Sequence, residues 1–258
     1  GLFSSGRISA PFDLSNLKIG SPICEDFWFD DVAQKMVLEG AEILISPNGS
    51  PYSRGKMQVR KKLMAKRAGE TNVPIVYLNL VGGQDDLVFD GGSFVLNPNG
   101  NAAVQLPQFD ECTALVNFSR HDNKWVAESG CKETIRDELS QDYRAMAEGT
   151  RDYIEKTGFS KVLLGLSGGV DSALVATIAC DALGPENVLC VRLPSEITSA
   201  SSLTDAEILV KRLGCQLETL PISEANNIIL STLDKVFGKC TPDVTEENIQ
   251  SRLRGLFL

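Results

Sequence analysis

A chain of 258 residues is long enough for two domains with a buried core. Its formal charge of −9 and isoelectric point near 4.8 repel nucleic acid and anionic membranes over most of the surface, which excludes a general binder of either. No apolar run reaches the roughly 18 residues of a membrane span, and the N-terminus carries no signal-peptide pattern. The seven cysteines are odd in number and form no CxxC pair, so they read as reduced thiols of a cytoplasmic protein, most of them in the core. The chain begins at Gly1 rather than Met and ends at Leu258 within a helical pattern, so a fragment is expected.

In chain order, residues 17–23 read as a strand ending at Cys24, and a helix from Asp30 carries Val32, Ala33, Met36 and Val37 as one apolar stripe. Cys24 therefore stands at a tight strand-to-helix junction. Such a junction can lift a thiol clear of the sheet edge, and helix-end amides favour its thiolate, although position alone favours a packed core thiol. Residues 41–46 form a second strand that leads into the turn-rich loop 47–52. A basic helix follows, in which Arg54, Lys56, Arg60, Lys61, Lys62, Lys66 and Arg67 read mostly as a solvated or partner-facing side, with Leu63, Met64 and Ala68 inward. It lacks an aromatic stacking platform for nucleic acid. Residues 74–80 are a third buried strand, and the Asn97-Pro98-Asn99-Gly100 turn reverses the run 89–96 into 102–106.

From Arg120 to Leu139 the chain is polar and reads as a domain connection, with the sole histidine, His121, as a solvated loop residue. A helix from about Gln141 to Gly158 places Tyr143, Met146, Ala147, Thr150, Tyr153 and Ile154 on one face. The stretch Gly165-Leu166-Ser167-Gly168-Gly169-Val170-Asp171-Ser172 then joins an apolar strand to a helix reaching about Leu183. Two glycines let an anion approach the main chain, the helix start adds open amides, and Ser167 and Ser172 add hydroxyl donors, so this is a phosphate site. The lysine that opens the helix in the GxxxxGK[ST] pattern is absent; Asp171 stands in that neighbourhood instead. A carboxylate beside polyphosphate calls for a divalent cation between them, which implies Mg²⁺ at Asp171. Strand 186–193, a helix from about Ser202 stopped by Gly214, and strand 216–222 complete a strand-helix alternation, hence a parallel sheet with ligands at the strands' C-terminal ends, where Ser167 and Ser195 fall. A last helix runs from Asp243, with Asn248 and Arg252 on one face and Ile249, Leu253 and Leu256 on another.

Several of these stretches resemble known families. The loop is similar to the SGGxDS signature of the N-type ATP pyrophosphatases, which implies cleavage of ATP to AMP and pyrophosphate. ICEDFW, NGSPYSRGK, NLVGGQDDLVFDGGSFV and the NPNG turn, in that order, resemble the glutamine-hydrolysing domain of the glutamine-dependent NAD⁺ synthetases, a nitrilase-like carbon–nitrogen hydrolase. ENIQSRLRG, and Leu193-Pro194-Ser195 with Thr198-Ser199 and Asp205-Ala206, resemble the synthetase domain of the same family; Glu196 departs from it, standing where an Arg is common.

The resemblance implies an α/β chain. Residues 1–119 are the later part of a nitrilase-like αββα sandwich, 120–139 a linker, and 140–258 the earlier part of a Rossmann-like parallel α/β pyrophosphatase-loop domain. Cys24 is implied as the nucleophile, Ser50 and Lys56 as glutamine-binding, Gly165 to Ser172 as ATP-binding, and Asn248 as a contact to deamido-NAD⁺. The family's general-base Glu and oxyanion-stabilising Lys lie upstream of the nucleophile's strand and outside this chain. The implied activity is ATP- and Mg²⁺-dependent amidation of deamido-NAD⁺ with ammonia from glutamine, in a homo-oligomer. The alternatives are another pyrophosphatase-loop amidotransferase such as GMP synthetase, or an inactive nucleotide-binding fragment.

Overall fold

The computed structural model describes residues 6–238 and 243–258, and Cys240 lies outside them. Packing divides the chain into two units, Gly1–Gly149 and Thr150–Leu258. The strands of the first unit's main sheet are β1 (Phe12–Leu14), β2 (Leu17–Gly20), β3 (Ile43–Asn48), β4 (Ile75–Asn79), β7 (Phe94–Leu96) and β8 (Ala102–Gln105), hydrogen-bonded in that order. The hairpin of β5 (Val81–Gln84) and β6 (Leu87–Asp90) stands apart from it. β2, β3 and β4 are parallel, which requires crossovers; these are α1 (Asp30–Leu38) and α2 (Lys56–Thr71). β7 and β8 then return antiparallel through the Asn97–Gly100 turn.

Alternation along the strands gives this sheet two different faces. Ile75, Tyr77, Phe94 and Leu96 meet Ala33 and Met36 of α1 and Met57, Met64 and Ala68 of α2 in one core, where the Tyr77 and Phe94 rings stack with centroids 4.9 Å apart. Val95 and Val104 point the other way and are covered by Ala127 and Phe118. These two belong to a hairpin, β9 (Phe118–His121) and β10 (Lys124–Ala127), turned by Asp122 and Asn123, both with positive φ. The stretch 120–139 is thus folded into the first unit rather than free: Asn97 exchanges hydrogen bonds with Ala127, and Gln105 N donates to Cys131 O. His121 lies at the exposed end of β9, with Nε2 3.1 Å from Ser119 Oγ.

Three further expectations need correction. The first strand stops at Gly20 instead of running to Ile23, because the chain leaves the sheet before Cys24. Arg60 and Arg67 of the basic helix are buried, each neutralised by an acid and several carbonyls. Helix α3 (Glu138–Lys156) buries Gln141, Ala145 and Glu148, while Met146 and Tyr153 of the apolar pattern are exposed. Polar partners on the first unit decide that face, and apolar periodicity is blind to them.

In the second unit β11 (Val162–Gly165), β12 (Val188–Arg192) and β13 (Gln216–Thr219) form the expected parallel sheet in chain order. α4 (Val170–Leu183) and α5 (Ala200–Leu213) make the crossovers. α5 ends at Gly214, in the left-handed conformation that glycine adopts without strain. Val188 and Cys190 of β12 pack with Ala176, Ala179, Ala206 and Val210, whereas Val191 points to the other face with Leu193 and Ile222. A further helix, α6 (Ser223–Phe237), follows, and α7 (Val244–Phe257) opens on a box in which Thr245 N donates to Asp243 and Asp243 N to Glu246. On α7 Leu253 is buried as expected, but Leu256 is 80% exposed. Of the described cysteines only Cys180 and Cys190 are buried; Cys112 and Cys131 are exposed, against the expectation of a mostly core set. Among the described residues no helix is long and apolar enough to cross a membrane.

Candidate functional site

Each unit carries its own cluster. In the first, Cys24 opens a short 3-10 helix, Cys24–Trp28, and has φ of 49°, a left-handed conformation that costs a non-glycine residue on the order of 1–3 kcal/mol. The surrounding backbone holds it there. Ile23 N donates to Asp26 Oδ2 at 3.0 Å and Asp26 N returns a bond to Ile23 O at 3.0 Å. At the other end, Arg67 donates to the carbonyls of Phe27 and Trp28, which the helix leaves open. Asp26 of the CEDFW stretch is thereby given a structural task, and the partly exposed thiol sits on a sharply turned, clamped elbow.

Ser50 follows β3 and is buried. Its hydroxyl accepts from Arg60 Nε at 3.1 Å and its carbonyl from Arg60 Nη2 at 2.7 Å, while its amide donates to Asn79 Oδ1 at 2.9 Å. Arg60 Nη1 in turn reaches Asp90 Oδ1 at 2.7 Å. The Tyr77 hydroxyl is buried in the same neighbourhood, at a geometry that completes no hydrogen bond among the described residues. Burial pushes its pKa up, Cys24 and Asp90 push it the same way, and Arg60 and Ser50 oppose them. Tyr77 thus lies within electrostatic reach of Cys24 and of the Arg60–Asp90 pair. Lys56 Nζ lies 4.3 Å from the centre of the Trp28 ring, a cation–π contact that sets it beside the Cys24 helix.

In the second unit the chain leaves β11 at Gly165 and enters α4 at Val170. Gly168 has φ of 86°, and a Cβ there would sit 2.3 Å from Ser202 O, so both backbone angle and space require glycine. Ser167 and Ser172 hydroxyls lie 3.0 Å apart; Ser172 Oγ donates to Gly169 O at 2.9 Å, and Gly169 N donates to Ser167 Oγ at 3.2 Å. The first main-chain bond of the helix is Ala173 N to Gly169 O, so the amides of Val170, Asp171 and Ser172 precede it. Asp171 is exposed in this first turn.

Gly165, Leu166 and Ser167 border a cavity of about 330 Å³ at the C-terminal ends of β11 and β12, together with Leu193, Pro194 and Arg254. Arg254 Nε donates to Leu193 O at 3.1 Å, which fixes α7 over the end of β12. Asn248 lies on the same helix but is exposed and outside the cavity lining; its carbonyl accepts from Arg252 Nη1 at 3.4 Å. Glu196 Oε1 accepts from Asn227.

Sequence reasoning missed Arg60, Tyr77, Asn79, Asp90 and Arg254 as parts of these clusters. Arg60 was hidden in a run of bases, and only its burial singles it out. Asp90 and Asn79 did fall inside the FDGGSF and NLVGG stretches, which was the available signal.

The carbon–nitrogen hydrolase family model matches residues 1–123, and the NAD synthase family model matches residues 142–258. The glutamine-dependent NAD(+) synthetase of Rhodobacter capsulatus is 51% identical over 257 residues, covering 100% of this chain and 47% of the relative. That of Xylella fastidiosa strain 9a5c is 44% identical over 252 residues, covering 96% and 45%. A solved structure of the glutamine-dependent NAD+ synthetase from Acinetobacter baumannii, in complex with adenosine diphosphate, superposes with a TM-score of 0.92 at 39% identity, over 99% of this chain and 48% of that one. The chain spans about half the length of the curated relatives it matches. The nitrilase-like sheet and helices of the first unit, the parallel α/β second unit and these matches lead to one statement: the chain belongs to the glutamine-dependent NAD⁺ synthetase family.

Proposed function

We propose that a full-length protein carrying this sequence converts deamido-NAD⁺ to NAD⁺ at the expense of ATP, with ammonia drawn from glutamine. The observation that carries the reading is the Ser167–Ser172 loop, with its open amides and paired hydroxyls and with Ser167 at the edge of the 330 Å³ cavity, in the same chain as the strained, clamped Cys24. The adenosine diphosphate bound to the Acinetobacter baumannii relative supports ATP as the nucleotide.

A carboxylate is a poor electrophile. The nicotinate carboxylate attacks the α-phosphorus of ATP, the bond to pyrophosphate breaks, and the resulting acyl adenylate accepts ammonia at its carbonyl carbon as AMP leaves. The amides of Val170, Asp171 and Ser172 and the hydroxyls of Ser167 and Ser172 receive the pyrophosphate as its charge develops. Among the described residues no three acidic, histidine or cysteine side chains converge on a metal site. The exposed Asp171 carboxylate would hold Mg²⁺, an ion that binds through one or two carboxylates together with substrate phosphates, and the ion would offset the charge on the leaving group. Asn248, on the helix that Arg254 anchors, is assigned to deamido-NAD⁺.

In the first unit the Cys24 thiolate attacks the glutamine amide carbon, ammonia departs, and water hydrolyses the thioester to glutamate. Ser50 and Lys56 hold the glutamine. A glutaminase part at 1–119 with 120–139 packed against it, a synthetase part from 140, a homo-oligomer and a cytoplasmic setting complete the proposal.

The test is Cys24→Ala in the full-length protein. Synthesis driven by glutamine is lost, while synthesis from added ammonia stays within about twofold, since the second cluster is untouched. Equal loss of both sinks the nucleophile assignment. Pyrophosphate release with deamido-NAD⁺ but not XMP separates this reading from a GMP synthetase.

A further inference from the structure

Two polar chains begin at the loop after β3 and end on adjacent residues of α3. The side chains of the first are buried. Ser50 Oγ accepts from Arg60 Nε, Arg60 Nη1 donates to Asp90 Oδ1, and Gln108 Nε2 donates to Asp90 Oδ2 at 3.1 Å and to Gln141 Oε1 at 3.3 Å. Gln141 Nε2 closes it on Arg136 O at 2.6 Å. Arg60, Asp90, Gln108 and Gln141 are all at most 4% exposed. The second chain is shorter. Tyr52 Oη donates to Asp142 Oδ1 at 2.7 Å, and the Arg54 guanidinium pairs with the other oxygen of the same carboxylate. The Tyr52 ring meets Phe109 edge-on, and Arg144 of α3 donates to Phe109 O.

We infer that Gln141 and Asp142 are positioning residues for glutamine hydrolysis: through these chains α3 sets the height and register of the loop that presents Ser50 and Lys56 beside Cys24. The inference rests on the glutaminase reading above. Neither residue touches the reacting atoms. Apolar packing would hold α3 against the first unit at least as firmly as these groups do, because buried charge and amide groups must recover their desolvation. What such a network adds is direction. Each buried donor is satisfied in few geometries, so a shift of α3 is transmitted to Ser50 Oγ rather than absorbed. The loop is also held by Asn79 at Ser50, by Arg60 at Pro51 and by Val88 at Tyr52, none of which reaches α3 directly.

The experiment uses the full-length protein with Asp142→Ala, Gln141→Leu and the conservative Asp142→Glu. Ammonia release from glutamine is followed against glutamine concentration, with ammonia-driven pyrophosphate release and thermal melting measured alongside. Loss of a charge-assisted bond to the loop raises the KM for glutamine about tenfold in Asp142→Ala, with kcat within about twofold, and Asp142→Glu restores most of it. Gln141→Leu shifts KM the same way, and ammonia-driven release is unchanged in all three. An unchanged KM, or equal falls in both nitrogen-donor reactions together with the melting temperature, overturns the inference and leaves a structural role only. If the unmodified protein releases no ammonia from glutamine, the glutaminase reading falls and this inference with it; if it does and the variants match it, this inference alone falls.

Discussion

Arg60 Nη1 meets Asp90 Oδ1 at 2.7 Å, and both side chains are only 1% exposed. The pair is the hinge of the buried chain, since the same guanidinium supports Ser50 through its hydroxyl and its carbonyl.

Removing one partner leaves the other charged and buried. Arg60→Met is expected to destabilise the protein by about 3–5 kcal/mol, and Asp90→Asn by less because the amide still accepts one bond. The double variant recovers part of the loss. A double-mutant cycle by denaturant unfolding measures the coupling, and additive effects would show that the pair is not a unit.

How much of this was legible beforehand follows from what each residue reports. Apolar runs located β3, β4 and β7, and glycine punctuation located the Ser167–Ser172 loop, because backbone angle and burial are written locally. Polar burial is not. Gln141 and Glu148 occupy the inward face of α3 where Met146 and Tyr153 were expected, and Gln108, the partner of Gln141, lies far away in sequence. The hairpin at 118–127 was hidden by its polar content; two short strands turned by Asp122-Asn123 carry too few apolar residues to stand out. The environment of Cys24 was half legible: the junction was visible, while the positive φ and the clamp by Arg67 depend on α2.

The Tyr52–Asp142 contact should be insensitive to pH across a wide window. Hydrogen bonds from Arg54 and Tyr52 hold the Asp142 carboxyl below its usual range, so its contribution is fully present above that range and is lost as pH falls through the lowered value. Burial first, then the bond to Asp142, raises the Tyr52 phenol above 10.0, so its contribution is complete below that pH and is lost as pH rises through the raised value. Ultraviolet titration should show Tyr52 and Tyr77 ionising late, and Asp142→Asn should bring only one of them down. Ordinary ionisation of every tyrosine would contradict the contact.

Cys180 and Cys190 are both pushed up to about 12, by burial first and by Cys215 next; Cys190 Sγ lies 3.8 Å from Cys215 Sγ. Almost no thiolate exists at either at neutral pH. An alkylating reagent should modify exposed Cys112 at least about a hundredfold faster than these two, as read by mass spectrometry of the native protein. Comparable labelling would mean that the second unit's core opens readily.

Gly168→Ala tests the phosphate loop through its backbone alone. A methyl there meets Ser202 O at 2.3 Å with φ at 86°, so the loop must move away from α5. The strain costs on the order of 1–3 kcal/mol, which a two-domain protein survives, whereas the displaced amides of Val170 to Ser172 no longer meet the developing pyrophosphate. Pyrophosphate release with ammonia as nitrogen donor should fall by about a hundredfold or more, as displacements near 1 Å do elsewhere. Ammonia release from glutamine, which depends on Cys24 in the other unit, should persist. Retention of full pyrophosphate release in a folded Gly168→Ala protein would remove this loop from the reaction.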